Sequence, residues 1–189
     1  MGRPKEASLV TPFAALLYGR PECHPPLRAG LERLFGAVEL ESEEFSFTFT
    51  DYYTASMGPG LQRKLLVFQA LRDPAELADW KLAANALEEE LAKRWTEPGA
   101  PARPVNADPG YLTGAKLVLA STKDFAHRIY LRRGIFAEIT LSFRAGAWQA
   151  HPWTFPDYRS GLYHAFLRQA RDAHLRKGRM SDGGARGRE

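Results

Sequence analysis

Cysteine is almost missing from this 189-residue chain. Cys23 stands alone, which excludes an intramolecular disulfide and a Cys-rich zinc site. No apolar run approaches the roughly 20 residues of a membrane helix. The opening M-G-R-P-K-E-A-S carries no apolar signal-peptide core, so a cytoplasmic protein without membrane contact is expected. The common catalytic and phosphate-binding signatures are absent too: there is no G-x-x-x-x-G-K-[ST], G-x-G-x-x-G, H-E-x-x-H or G-x-S-x-G. The five histidines, at 24, 127, 151, 164 and 174, lack metal-ligand spacing. A metal site would have to draw on carboxylates, as magnesium and manganese sites do.

Excess charge is also missing from the body of the chain. The formal net charge is +4, but residues 176–189 hold +3 of it and residues 1–6 another +1. Residues 7–175 are formally neutral, whereas a duplex-binding domain carries its positive charge on the folded surface. Nucleic acid is therefore not an expected partner. The divisions that follow are a flexible N-terminus over 1–8, a single domain over 9–175 and a basic disordered tail over 176–189.

What is present is 44% hydrophobic and 12% aromatic, enough for a sizeable core. Residues 13–18 read as a central strand. Leu27, Leu31, Leu34, Phe35 and Val38 follow helical spacing. Residues 45–53 alternate Phe45, Phe47 and Phe49 with Ser46, Thr48 and Thr50, the pattern of a half-buried strand. A further strand is expected over 65–71. Asp73-Pro74-Ala75-Glu76 then opens a helix, with Asp as cap and Pro at the first position. That helix buries Leu77, Trp80, Ala84, Leu87 and Leu91. Lys81, Asn85 and Glu88 form a polar line beside the stripe, and Lys81 reads as a solvated surface lysine. The Pro-rich residues 96–104 form a linker within the domain.

The densest strand-like sequence lies at 105–143. Asp108-Pro109-Gly110 is turn chemistry. Residues 116–121 make a short buried strand. Residues 129–131 and 135–143 suggest a hairpin. A three-residue loop, Arg132-Arg133-Gly134, pairs Leu131 with Ile135 and Ile129 with Ala137, and gathers the apolar residues on one face. It also sets Arg128 opposite Glu138. The segment 148–153 extends the sheet. A last helix is expected over about 158–176, with Asp157 as its cap.

The order strand, helix, strand, strand, helix, strand is the ferredoxin-like βαββαβ pattern. The expected class is therefore α+β, with an extended antiparallel sheet and a C-terminal helix. On the open face of that sheet Arg128, Glu138, Thr140 and Tyr130 would lie close together. Asp51, Asn106, Asp108 and Lys123 would join them in a mixed-charge cleft suited to a small anionic ligand, such as a nucleotide or phosphorylated metabolite. Arg128 and Lys123 would hold the anion, with Asn106, Asp108 and Tyr130 as further binding residues. Asp51, Asp108 and Glu138 would serve proton transfer or a divalent ion such as magnesium, with His127 as an alternative base, in metal-assisted hydrolysis or transfer. The rival expectation is a non-catalytic adaptor or homodimer, anchored by exposed aromatics such as Trp148, Trp153 or Phe155.

T-D-Y-Y-x-x-x-M-G at 50–58, V-N-A-D-P-G-Y-L at 105–112, L-V-L-A-S-T-K-D-F-x-H-R-I-Y-L at 117–131, G-I-F-A-E-I-T-L at 134–141 and W-T-F-P-D-Y-R at 153–159 resemble the bacterial domain-of-unknown-function family numbered 4416. The resemblance covers about residues 9–175 and implies a cytosolic bacterial protein, with no activity to carry over. Some relatives carry a GTP-binding label. This chain has neither a Walker loop nor N-K-x-D, so classical GTPase chemistry is not expected.

Overall fold

Eight consecutive buried residues make β1 (Thr11–Tyr18) the axis of the fold. In the computed structural model, which describes residues 2–185, β1 lies between β4 (Gln62–Phe68) and β5 (Val105–Leu112). The sheet continues outward through β2 (Val38–Glu41) on one side. On the other side come β6 (Lys116–Ser121), β8 (Ile135–Arg144) and β7 (Ile129–Arg132). The order is β2-β4-β1-β5-β6-β8-β7, with the two-residue β3 (Phe45–Ser46) beside β4 and β9 (Ala147–Ala150) beside β8. Every pairing is antiparallel.

Both faces of the sheet are covered at β1, so after Thr11 the strand is apolar instead of alternating. Ala14, Leu16 and Tyr18 face α1 (His24–Phe35) and α3 (Leu77–Ala92), together with Leu66, Phe68, Val105 and Ala107. Phe13 and Ala15 face the other way, into a core with Leu65, Val67, Leu117, Leu141 and the inner side of α5 (His164–Ala185). A smaller cluster of Leu17, Phe47, Met57 and Leu61 closes one end, where the short α2 (Thr54–Met57) sits. No described helix is long and apolar enough to cross a membrane.

Several expectations need correction. The strand expected over 45–53 pairs only at Phe45 and Ser46, because β4 begins at Gln62 and later residues have no partner strand. The strand expected over 65–71 runs instead from Gln62 to Phe68. Asp108-Pro109-Gly110 is no turn: β5 passes straight through it. Pro109 is tolerated because its missing N–H falls on the side of β5 from which the neighbouring strand has departed. The hairpin keeps Ile129 opposite Ala137, as expected. Its turn is shorter, however, with Arg133 and Gly134 both at positive φ (53° and 74°) and Leu131 displaced into a bulge. The last helix breaks into α4 (Pro156–Arg159) and α5, with Gly161 at φ 83° between them. Asp157 lies inside α4 rather than capping it. Helix α5 continues past Arg176 to Ala185, so the basic tail expected from 176 begins inside it; residues 186–189 lie outside the described residues.

Candidate functional site

The sheet is parted at one place. β5 pairs with β1 along its whole length, but with β6 only at Gly110, Tyr111 and Leu112. Residues 105–109 therefore leave β6 and open a wedge. Gly110 marks where the strands close: a Cβ there would stand 2.1 Å from the Val118 carbonyl oxygen. Backbone groups on the parted edge still need partners, and side chains of α3 supply them. The Ala107 N–H donates to Glu88 Oε1 at 2.8 Å, and the Ala107 carbonyl accepts from Lys81 Nζ at 3.0 Å.

The wedge opens into a cavity of about 820 Å³, a size typical of small-molecule sites. Its α3 wall carries Lys81, Asn85 and Glu88, the polar line visible in the sequence. Lys81 Nζ also donates to Asp108 Oδ1 at 3.0 Å, and Asn106 Nδ2 donates to Asp108 Oδ2 at 2.8 Å. Arg103 bridges Glu88 Oε2 at 2.8 Å and Asn106 Oδ1. Burial alone would raise the Asp108 carboxyl, but Lys81, Arg63 and the Asn106 amide hold it below the usual carboxylate range. Burial pushes the Glu88 carboxyl up, against the pull of Lys81 and Arg103.

The β6–β8 wall carries a second cluster. Arg128 Nε donates to Glu138 Oε2 at 2.7 Å, and its Nη1 donates to Ser121 Oγ at 2.6 Å and to the Lys123 carbonyl at 2.9 Å. Thr140 and His127 complete the shell of Glu138, the His127 Nε2 at 3.1 Å from Oε2. Trp153 is stacked between His127 and His151 at centroid distances of 5.4 and 4.9 Å.

Arg63 forms a third group. Strand β4 places it on the same face as Leu65 and Val67, so it points into the molecule. Its side chain is 5% exposed and lies over the Phe47 ring, 3.5 Å from Asp157 Oδ2. Nε and Nη1 have no hydrogen-bond partner, nor does the buried hydroxyl of Tyr158, and both residues line the cavity. Burial pushes the Asp157 carboxyl up against the opposing charge of Arg63, and Tyr163 donates to it at 3.2 Å.

Of the residues expected at a site, Asn106, Asp108, Lys123, Arg128 and Glu138 line this cavity together. His127 lies one contact behind, on Glu138. Asp51 is exposed and outside the lining, although Thr50 and Tyr52 on either side belong to it. Tyr130 is 59% exposed on the edge strand, packed against Phe136 and away from the cavity. The sequence reading missed Arg63, whose place in the alternation Arg63-Leu65-Val67 was the available signal. It also took Lys81 for a surface residue; Lys81 is 4% exposed. Arg103 comes from the Pro-rich linker, where no pattern singles it out. Among the described residues, no group of three or more His, Cys, Asp and Glu gathers as a metal-ligand set.

Fold and cavity together define a mixed α/β protein with a large antiparallel sheet, parted around a charged pocket. The chain belongs to the family described as Domain of unknown function (DUF4416), whose model matches residues 8–174. No curated protein and no solved structure matches it.

Proposed function

We propose that the cavity binds a small anionic molecule, such as a nucleotide or phosphorylated metabolite. One observation carries this reading. Arg63, Lys81, Glu88, Arg128, Glu138 and Asp157 are the buried charged side chains among the described residues, and all six line the same cavity. Burying a charge costs several kcal/mol even when it is paired. Six in one place is a poor way to stabilise a fold and a common way to build a site. The unmet need there is for acceptors. Among the residues that line the cavity, the buried side-chain atoms left unpartnered, Arg63 Nε and Nη1 and Tyr158 Oη, all have a proton to donate, and no carboxylate oxygen is among them. An oxyanion satisfies donors of this kind.

The test is a thermal-shift screen of nucleotides, phosphorylated metabolites and small carboxylates, with and without magnesium. A compound at 100 times its dissociation constant adds about 2.7 kcal/mol of stability. The shift should vanish in Arg63→Met, with the far-UV circular dichroism unchanged. A shift that persists in Arg63→Met would refute the assignment. Hydrolysis or transfer, if the bound compound is consumed, falls to Glu138 at the cavity wall and to His127 behind it. Magnesium, without an all-protein cage, would arrive with ligand phosphates and lean on Asp108 or Glu138.

The core also reads as a ferredoxin-like βαββαβ unit. The order β2-β4-β1-β5 and the placement of α1 and α3 on one face support it.

The adaptor reading draws on a different surface. Ile129 and Tyr130 of β7, the terminal strand, are 73% and 59% exposed, and an open apolar edge invites pairing with a second copy. Sedimentation equilibrium of wild type and Ile129→Lys decides this: a dimer lost in the variant favours it, and a monomer at all concentrations removes it.

A further inference from the structure

The depth and the rim of the cavity differ in chemistry. The depth holds the buried charges. At the rim, Tyr52, Phe125 and Phe155 remain 64%, 48% and 44% exposed. They come from three separate segments: the loop before α2, the connection between β6 and β7, and the residue preceding α4. Lys123 stands 4.3 Å over the Tyr52 ring and donates to its hydroxyl at 3.0 Å, so the first two segments face each other across the mouth. Arg128 lies over the Phe125 ring at 4.6 Å. Phe47, Phe49 and Tyr53 continue the aromatic wall inward toward Arg63. Aromatic rings left in water around a pocket gain by being covered, and they select a planar apolar partner.

We propose that the ligand is an aromatic anion: its charged group seats at Arg63, and its ring is covered by Tyr52, Phe125 and Phe155. This rests on the anion-binding reading above and narrows it, separating nucleotide-like or aryl compounds from sugar and aliphatic phosphates. The ring supplies the apolar surface that the rim leaves uncovered, and the anion supplies the acceptors that the depth lacks. Base–aromatic stacking is sequence-tolerant and general, so the rim sets a class of ligand rather than one compound.

The experiment uses matched pairs on the full chain, titrated by calorimetry. Adenosine 5′-monophosphate is compared with ribose 5-phosphate, and phenyl phosphate with glycerol 3-phosphate. The aromatic member of each pair should bind at least about tenfold more tightly. Phe125→Ala with Phe155→Ala should remove that preference and leave the aliphatic member within about twofold of its wild-type affinity. Arg63→Met should weaken both members of a pair alike. Equal affinities within the pairs overturn the aromatic assignment and leave the anion site standing. Absence of saturable binding by all four compounds overturns both.

Discussion

Arg128 lines the cavity and at the same time braces its wall. Its Nε and Nη1 are engaged by Glu138, Ser121 and the Lys123 carbonyl. Arg128→Ala would strand Glu138, which is 3% exposed, without its cation. Breaking a buried pair in this way costs about 3–5 kcal/mol, and urea unfolding should show a loss of that size. A loss under about 1 kcal/mol would mean that the pair is dispensable. Asp108 and Glu88, the acids where β5 meets α3, make opposite contributions to pH dependence. Asp108 is held below its ordinary 3.8, so its stabilisation is present above that value and is lost as pH falls through the folded one. Glu88 is raised above its ordinary 4.5, so its stabilisation is complete below that value and is lost as pH rises through the folded one. Unfolding free energies from about pH 3 to pH 8 should separate them. Asp108→Asn flattens the acid limb, and Glu88→Gln flattens the decline above 4.5.

At the scale of elements, local chemistry was legible and partnership was not. Asp73 caps as expected, accepting from the Ala75 N–H at 2.8 Å. Asp73→Ala should cost about 1 kcal/mol in thermal unfolding. The strand over 116–121 and the pairing of Ile129 with Ala137 also followed from apolar pattern and register. The alternation after Phe45 looked equally good, yet a strand needs a neighbour, and β4 starts too late to supply one. Asp108-Pro109-Gly110 misled for the complementary reason. Its residues suit a turn, but β1 pairs along its whole length and draws it out straight. The parting of β5 from β6 had no local signature, because it depends on which groups fill the gap. The site was half visible on the same grounds. Residues within 105–138 could be joined by register, whereas Arg63 and Lys81 reach the cavity only through the packing of distant elements. The closure point gives a direct check. Gly110→Ala places a methyl group against the Val118 carbonyl, and overpacking of this kind costs about 1–3 kcal/mol or more. Its backbone amide shifts should spread along β6 rather than β1.

At the scale of the whole molecule, the opening beside β5 is built from the same atoms that keep the sheet intact. Lys81 and Glu88 complete the hydrogen bonding of Ala107 where a strand would otherwise do so. Arg103 and Asn106 tie those side chains to Asp108. An engineer who wishes to redirect this pocket cannot treat its floor as interchangeable furnishing, since editing Lys81 or Glu88 edits the backbone. Diversity introduced at Phe49, Thr50, Phe125 and Phe155 would retune selectivity on an intact frame. Libraries randomising the α3 wall should return mostly insoluble clones.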